Sequence, residues 1–274
     1  MRVQTLVGFS AVLGFAAAVL AASPAAAAAT LFGIDDTTNA LITIDRTTGA
    51  ISVIGSTGIA AGDFGDLTYD SNHGVLYWAA GRGNDNLYTI DMSTGAATLV
   101  GTHGVDDLFG LAYDTQSNTL YGDSSNGNFY SIDANTGAAT LIGANSVYPG
   151  GLAYVASTNT LYLSSAGTGT LSTIDVTTGA ATLFSAGPGF LNDNGVTWDP
   201  LLGLFWADDW SDNIYQYDAA FDSRTGINTS SDALDGIAYA DVATTTVPEP
   251  ITLSLFGAGL AGVAAIRRRK RNAA

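Results

Sequence analysis

The sequence predicts an all-β fold: a five-bladed β-propeller whose first blade is closed by a one-plus-three split of strands. Three observations predict it. A phrase recurs five times at intervals of 42 to 46 residues, each period holds four short alternating runs, and the array is incomplete at both ends in complementary ways.

The first phrase reads ALITIDRTTGAISVIG at 40–55, NLYTIDMSTGAATLVG at 86–101, NFYSIDANTGAATLIG at 128–143 and TLSTIDVTTGAATLFS at 170–185. A worn fifth copy begins NIYQYDAAFDSRTG at 213–226. A second phrase alternates with it: DLTYDSNHGVLYWA from Asp66, GLAYDTQSNTLYGD from Gly110, GLAYVASTNTLYLS from Gly151 and GVTWDPLLGLFWAD from Gly195. Period-two alternation over four to six residues rich in Tyr, Leu, Ile and Thr predicts half-buried strands. The D-x-x-T-G between the third and fourth runs suits a hairpin, because Asp bonds the following amides and Gly supplies a positive φ. Four antiparallel strands per period describe a propeller blade.

The ends set the blade count. The copy beginning at Thr30 lacks its GLAY strand, and an orphan GIAYAD at 236–241 supplies one. A C-terminal strand that completes an N-terminal blade closes the ring and leaves no gap between first and last blades. The domain expected is therefore 30–243, with residues 1–29 ahead of it and 244–274 behind.

Residues 1–29 read as a secretory signal peptide: an arginine at position 2, an uncharged apolar run from Leu6 to Ala22, and small-residue cleavage sites over Ala25–Ala29. In the last segment, an apolar run of 16 residues from Ile251 to Ile266 predicts a short hydrophobic helix. It is below the ~20 residues that span a bilayer comfortably. The cluster Arg267, Arg268, Arg269, Lys270 and Arg271 would stay cytoplasmic, leaving the propeller outside.

Between these ends all 24 aspartates of the chain face only three arginines, Arg46, Arg82 and Arg224, with no lysine or glutamate, a net charge of −21. Such a surface repels phosphate backbones and excludes nucleic acid as a partner. There is no cysteine, so the exported domain holds together without disulfides, as about 210 residues with a full core can.

Candidate chemistry is sparse. His73 and His103 sit in loops and read as solvated, and no metalloprotease, nucleophile-elbow or phosphate-loop motif occurs. Asp45, Asp91, Asp133, Asp175 and Asp218 recur once per blade, as turn caps should. Asp70, Asp114 and Asp199 close the first strand in the same manner. Aspartates before the GLAY strand, Asp63, Asp107, Asp193 and Asp235 with their neighbours, form a candidate acidic ring at one channel mouth, for which Ca²⁺ is the candidate cation. No cofactor is required by anything in the sequence. Trp206, Trp210 and Tyr215 form a candidate aromatic ledge for sugars.

The repeated phrases LYxIDxxTGAATLIG and GLAYD resemble secreted bacterial propellers of the NHL and YVTN types, a resemblance that implies the fold and leaves the activity open. The order Pro248-Glu249-Pro250, apolar run, basic cluster closely resembles the PEP-CTERM sorting signal of Gram-negative bacteria. That resemblance implies a transient inner-membrane anchor, an exosortase-type partner that recognises and processes it, and delivery to the cell surface or the medium in species that build exopolysaccharide matrices. The expected function is a non-enzymatic surface or matrix module with exopolysaccharide as a candidate partner. The rivals are an Asp- and metal-dependent enzyme acting on polysaccharide or lactone, and a lectin.

Overall fold

The computed structural model describes residues 28–60, 65–189, 193–209, 213–228 and 234–242, and the signal-peptide and sorting-signal expectations lie outside them. The described residues form twenty strands. In chain order they are β1 (Ala28–Asp35), β2 (Ala40–Ile44), β3 (Ile51–Ser56), β4 (Asp66–Asp70), β5 (Val75–Ala79), β6 (Asn86–Ile90) and β7 (Ala97–Thr102). Next come β8 (Leu108–Asp114), β9 (Thr119–Ser124), β10 (Asn128–Ile132), β11 (Ala139–Ala144), β12 (Leu152–Val155), β13 (Thr160–Ser164) and β14 (Leu171–Ile174). The last six are β15 (Ala181–Ser185), β16 (Asp193–Asp199), β17 (Leu204–Asp209), β18 (Asn213–Tyr217), β19 (Arg224–Asn228) and β20 (Leu234–Val242).

These strands make five four-stranded antiparallel sheets, ordered β20-β1-β2-β3, β4-β5-β6-β7, β8-β9-β10-β11, β12-β13-β14-β15 and β16-β17-β18-β19. The first blade is the closure expected from the split repeat: Leu31 pairs with Tyr239 and Gly33 with Ile237. The pairing also reaches back to Ala28 opposite Val242, so the first strand starts two residues before Thr30. The innermost strands β4, β8, β12, β16 and β20 each touch the next, closing the ring about an axis.

The core lies between blades. Five clusters of buried side chains fill the five blade-to-blade interfaces, such as Leu41, Trp78 and Ala238 between the first and second, and Leu31, Trp206 and Ile237 between the fifth and first. Each sheet is thus covered on both faces. The inner three strands are correspondingly buried nearly throughout, as in β5 and β13, and only the outermost strands keep the half-exposed pattern expected of them all.

The hairpin aspartates do what the sequence predicts. Asp91 Oδ1 accepts the amides of Ser93 at 2.8 Å and Thr94 at 3.1 Å, and Gly95, at φ +82°, donates its N–H to the Asp91 carbonyl. Asp45, Asp133 and Asp175 repeat this, and Asp218 caps Asp222. The hydrogen bonds hold the carboxyls of these hairpins below the usual aspartate range. Asp70, Asp114 and Asp199 cap their turns in the same way.

The glycine that ends the ATLxG run has a separate cause. A Cβ on Gly101 would overlap the Thr136 carbonyl in the next blade's hairpin, and the same close approach joins Gly55 to Thr94 and Gly143 to Thr178. The repeat therefore keeps both glycines because consecutive blades touch there, backbone to backbone. Gly101→Ala should force the second and third blades apart at the rim and cost about 1–3 kcal/mol, read as a lower urea midpoint.

Candidate functional site

Two ends of the axis differ in chemistry. Where the inner strands begin, the residue before the Leu, Val or Ile is Asp66 in the second blade and Gly110, Gly151, Gly195 and Gly236 in the others. The Asp66 side chain occupies the space that those glycines leave. It is fully buried and accepts the amides of Leu67 and Leu111 at 2.9 Å. One carboxyl thus ties together two consecutive inner strands, β4 and β8. Burial raises its pKa well above the usual range, with nearby Asp235 adding to the rise.

Two members of the candidate acidic ring, Asp235 and Asp107, have separate partners. Asp235 is 2% exposed and accepts the Gly65 amide and, at 3.3 Å, the Trp78 indole N–H. Asp107 instead receives the Arg82 Nε on both oxygens, at 3.0 and 3.1 Å. Asp193 opens β16 opposite Asp209, and Asp63 lies outside the described residues. Among the described residues, no three His, Asp or Glu side chains gather as a metal-ligand set.

The aromatic ledge also comes apart. Trp206 is not exposed: at 0% it packs between the fifth and first blades, because alternation in β17 turns Phe205 and Trp206 to opposite faces. Tyr215 is half-buried, with its hydroxyl 3.1 Å from Asp209 Oδ2 and the Arg224 guanidinium 5.2 Å from its ring centre. Trp210 and the sorting residues Pro248 to Arg271 lie outside the described residues. His103 is not a solvated loop residue either. It is 5% exposed, its Nε2 has no hydrogen-bond partner, and burial lowers its pKa. His73 is exposed as expected, with Nδ1 2.6 Å from Asp70 Oδ2. The Ser117 hydroxyl makes the same contact to Asp114 in the next blade, so the histidine serves the turn.

The opposite end of the axis opens into a cavity of about 280 Å³ lined by residues from all five blades. Each inner strand contributes the aromatic of its GLAY phrase: Tyr69, Tyr113, Tyr154, Trp198 and Tyr239. Thr68 and Thr197 face it and also tie the ring, accepting the amides of Tyr113 and Tyr239 in the next blade at 3.1 and 3.0 Å. Beside the ring a second pattern repeats in three of the five blades. Tyr113 lies by Asp70, Tyr154 by Asp114 and Tyr239 by Asp199, each the strand-end aspartate of the blade before. The fourth blade ends its strand in Val155, and the next aromatic is Trp198, which has no hydroxyl to present. Burial first, and those carboxylates second, push the phenols of Tyr113, Tyr154 and Tyr239 up to about 12. The cavity wall is therefore uncharged apart from Asp241. The sequence places these aromatics on the inner strand, but only the register around the axis turns them into a ring.

Known structures share the fold. A chain in a crystal structure of a nidogen/laminin complex aligns over 77% of this chain and 80% of its own, at 16% identity and a TM-score of 0.55. A structural genomics protein of unknown function from Bacteroides thetaiotaomicron VPI-5482 aligns over 77% and 71%, at 16% identity and a TM-score of 0.53. Both likenesses are of fold alone. No curated protein matches the sequence. Residues 246–270 match the PEP-CTERM protein-sorting motif, which marks the chain for exosortase-dependent export towards the cell surface. Residues 32–195, more than half of the chain, match the family described as a repeat of unknown function (DUF6923), and the protein belongs to that family.

Proposed function

We propose that this protein is a non-enzymatic binding or structural module of the cell surface or extracellular matrix, presented there after its tail has been recognised and processed by an exosortase. The observation that carries the reading is the sorting motif at 246–270 directly behind the strand that closes the propeller. The turn-capping role of His73 and the separate pairings of Asp107 and Asp235 favour a binding protein over an Asp-dependent enzyme. Exopolysaccharide is the partner that this address brings within reach.

The test is localisation of the tagged protein with and without residues 247–274. The full chain should appear at the surface or in the medium, whereas the shortened one should lose that distribution. Identical distributions would refute the sorting role. Mass spectrometry of the mature protein should find a C-terminus upstream of Ala274, and an intact Ala274 would contradict processing.

A further inference from the structure

We infer that the axial cavity is a binding site for a neutral sugar residue, held against half-buried Tyr69, Tyr154 and Trp198 and hydrogen-bonded by the surrounding hydroxyls. This rests on the reading of the protein as a surface binding module and names what it binds. The wall combines aromatic surface from every blade with hydroxyls of Thr68, Ser71, Thr115, Ser157 and Thr197. A sugar ring needs both, since its C–H faces pack on aromatic surface and its hydroxyls require donors and acceptors around the edge. At about 280 Å³ the cavity sits at the lower end of ligand sites, which are roughly 300–1,000 Å³, and so fits one terminal residue better than a length of chain.

Charge selects among ligands. No arginine, lysine or histidine lines the cavity, Asp241 does, and the domain carries −21, so uronates and phosphorylated sugars are repelled. An organic cation would want bare carboxylates behind an aromatic cage. Three of the four carboxylates there are already answered, Asp70 by His73 at 2.6 Å, Asp114 by Ser117 at 2.6 Å and Asp199 by Arg46, and the fourth, Asp241, is exposed to water. A neutral, hydroxyl-rich ligand remains.

The exported protein, purified from the cells that make it, should be titrated with maltotriose, cellotriose and N,N′,N″-triacetylchitotriose as neutral probes, with trigalacturonate and tetramethylammonium as anionic and cationic ones. Calorimetry supplies the affinity, and fluorescence reports on Trp198 in the cavity wall. At least one neutral trisaccharide should bind saturably, and more tightly than either charged probe. Ala156→Trp and Ser71→Trp place bulk in the cavity from exposed turns of two blades. Each should weaken binding at least tenfold without shifting the melting temperature. Binding of none of the three neutral probes, tighter binding of a charged one, or undiminished binding by both blocking variants would overturn the assignment. A protein that reaches the surface yet binds none of them would sink this inference and leave the localisation reading standing.

Discussion

A chain that ends at residue 233 should lose cooperative folding, whereas one that ends at residue 246 should keep it. The difference is β20, which fills the inner place of the first blade and touches both β16 and β4 across the ring. It buries Leu234, Ile237 and Tyr239, each worth about 1.5–3 kcal/mol, so together roughly 5–9 kcal/mol. That is comparable with the whole stability of an ordinary domain, about 5–15 kcal/mol. Further losses come in the same cut. Asp235 leaves with the strand, so the Trp78 indole and the Gly65 amide lose their acceptor, and the inner edge of β1 is left unpaired. Calorimetry should record one cooperative endotherm for the 246-residue chain and none for the 233-residue chain. An endotherm within about 5 °C of the longer chain's would disprove the closure argument.

That closure was legible because strand phrases count themselves: five copies, one missing strand and one orphan admit a ring with little left to fit. The hairpin aspartates were legible for the same reason, since a contact confined to four consecutive residues is encoded in those residues. What failed to show was whatever depends on neighbours 40 or more residues away. Trp206 belongs to a strand with two buried faces, and alternation alone does not say whether solvent or another blade covers a face. Asp66 opens its strand phrase, and aligning the five phrases puts it in a column with four glycines. A column of glycine with one polar exception marks a shared space too narrow for five side chains, and that signal was present in the sequence. The aromatic ring was also a column, Tyr, Tyr, Tyr, Trp, Tyr. It becomes a cavity wall only once the strands carrying it are known to be innermost and the axis is open at that end.

A large response to pH should come from Asp123, and Asp123→Asn should raise stability at pH 7.5 while changing little at pH 4. Asp123 lies in β9 opposite Gly110, fully buried, with Oδ1 2.5 Å from the Asn145 amide nitrogen and no hydrogen-bond partner for Oδ2. Burial, the dominant cause, pushes its pKa up to about 8. In the unfolded chain the group ionises near 3.9. Between those values the native state holds a proton that the unfolded state has released. Its contribution is complete below pH ~4 and fades as pH rises through ~8. Buried Asp66 acts with the same sign. His103, kept neutral by burial, acts with the opposite sign, but only below its unfolded value near 6.5, so the window from pH 6.5 to 8 isolates the acids. Asparagine keeps the acceptor for Asn145 and replaces an unpartnered carboxyl with a group that never ionises. The gain at pH 7.5 should be on the order of 2–4 kcal/mol. For a domain of about 210 residues that is roughly 5–15 °C in Tm. Asp91→Asn in an exposed hairpin supplies the reverse case: its hydrogen bonds favour the ionised form, so it should lose stability at neutral pH, a loss that shrinks as pH falls through the lowered pKa of the parent carboxyl. Melting curves of the three proteins from pH 2 to 8 decide the matter, and a Tm difference between Asp123→Asn and the parent that does not grow with pH would show that the buried carboxyl is not what sets the slope.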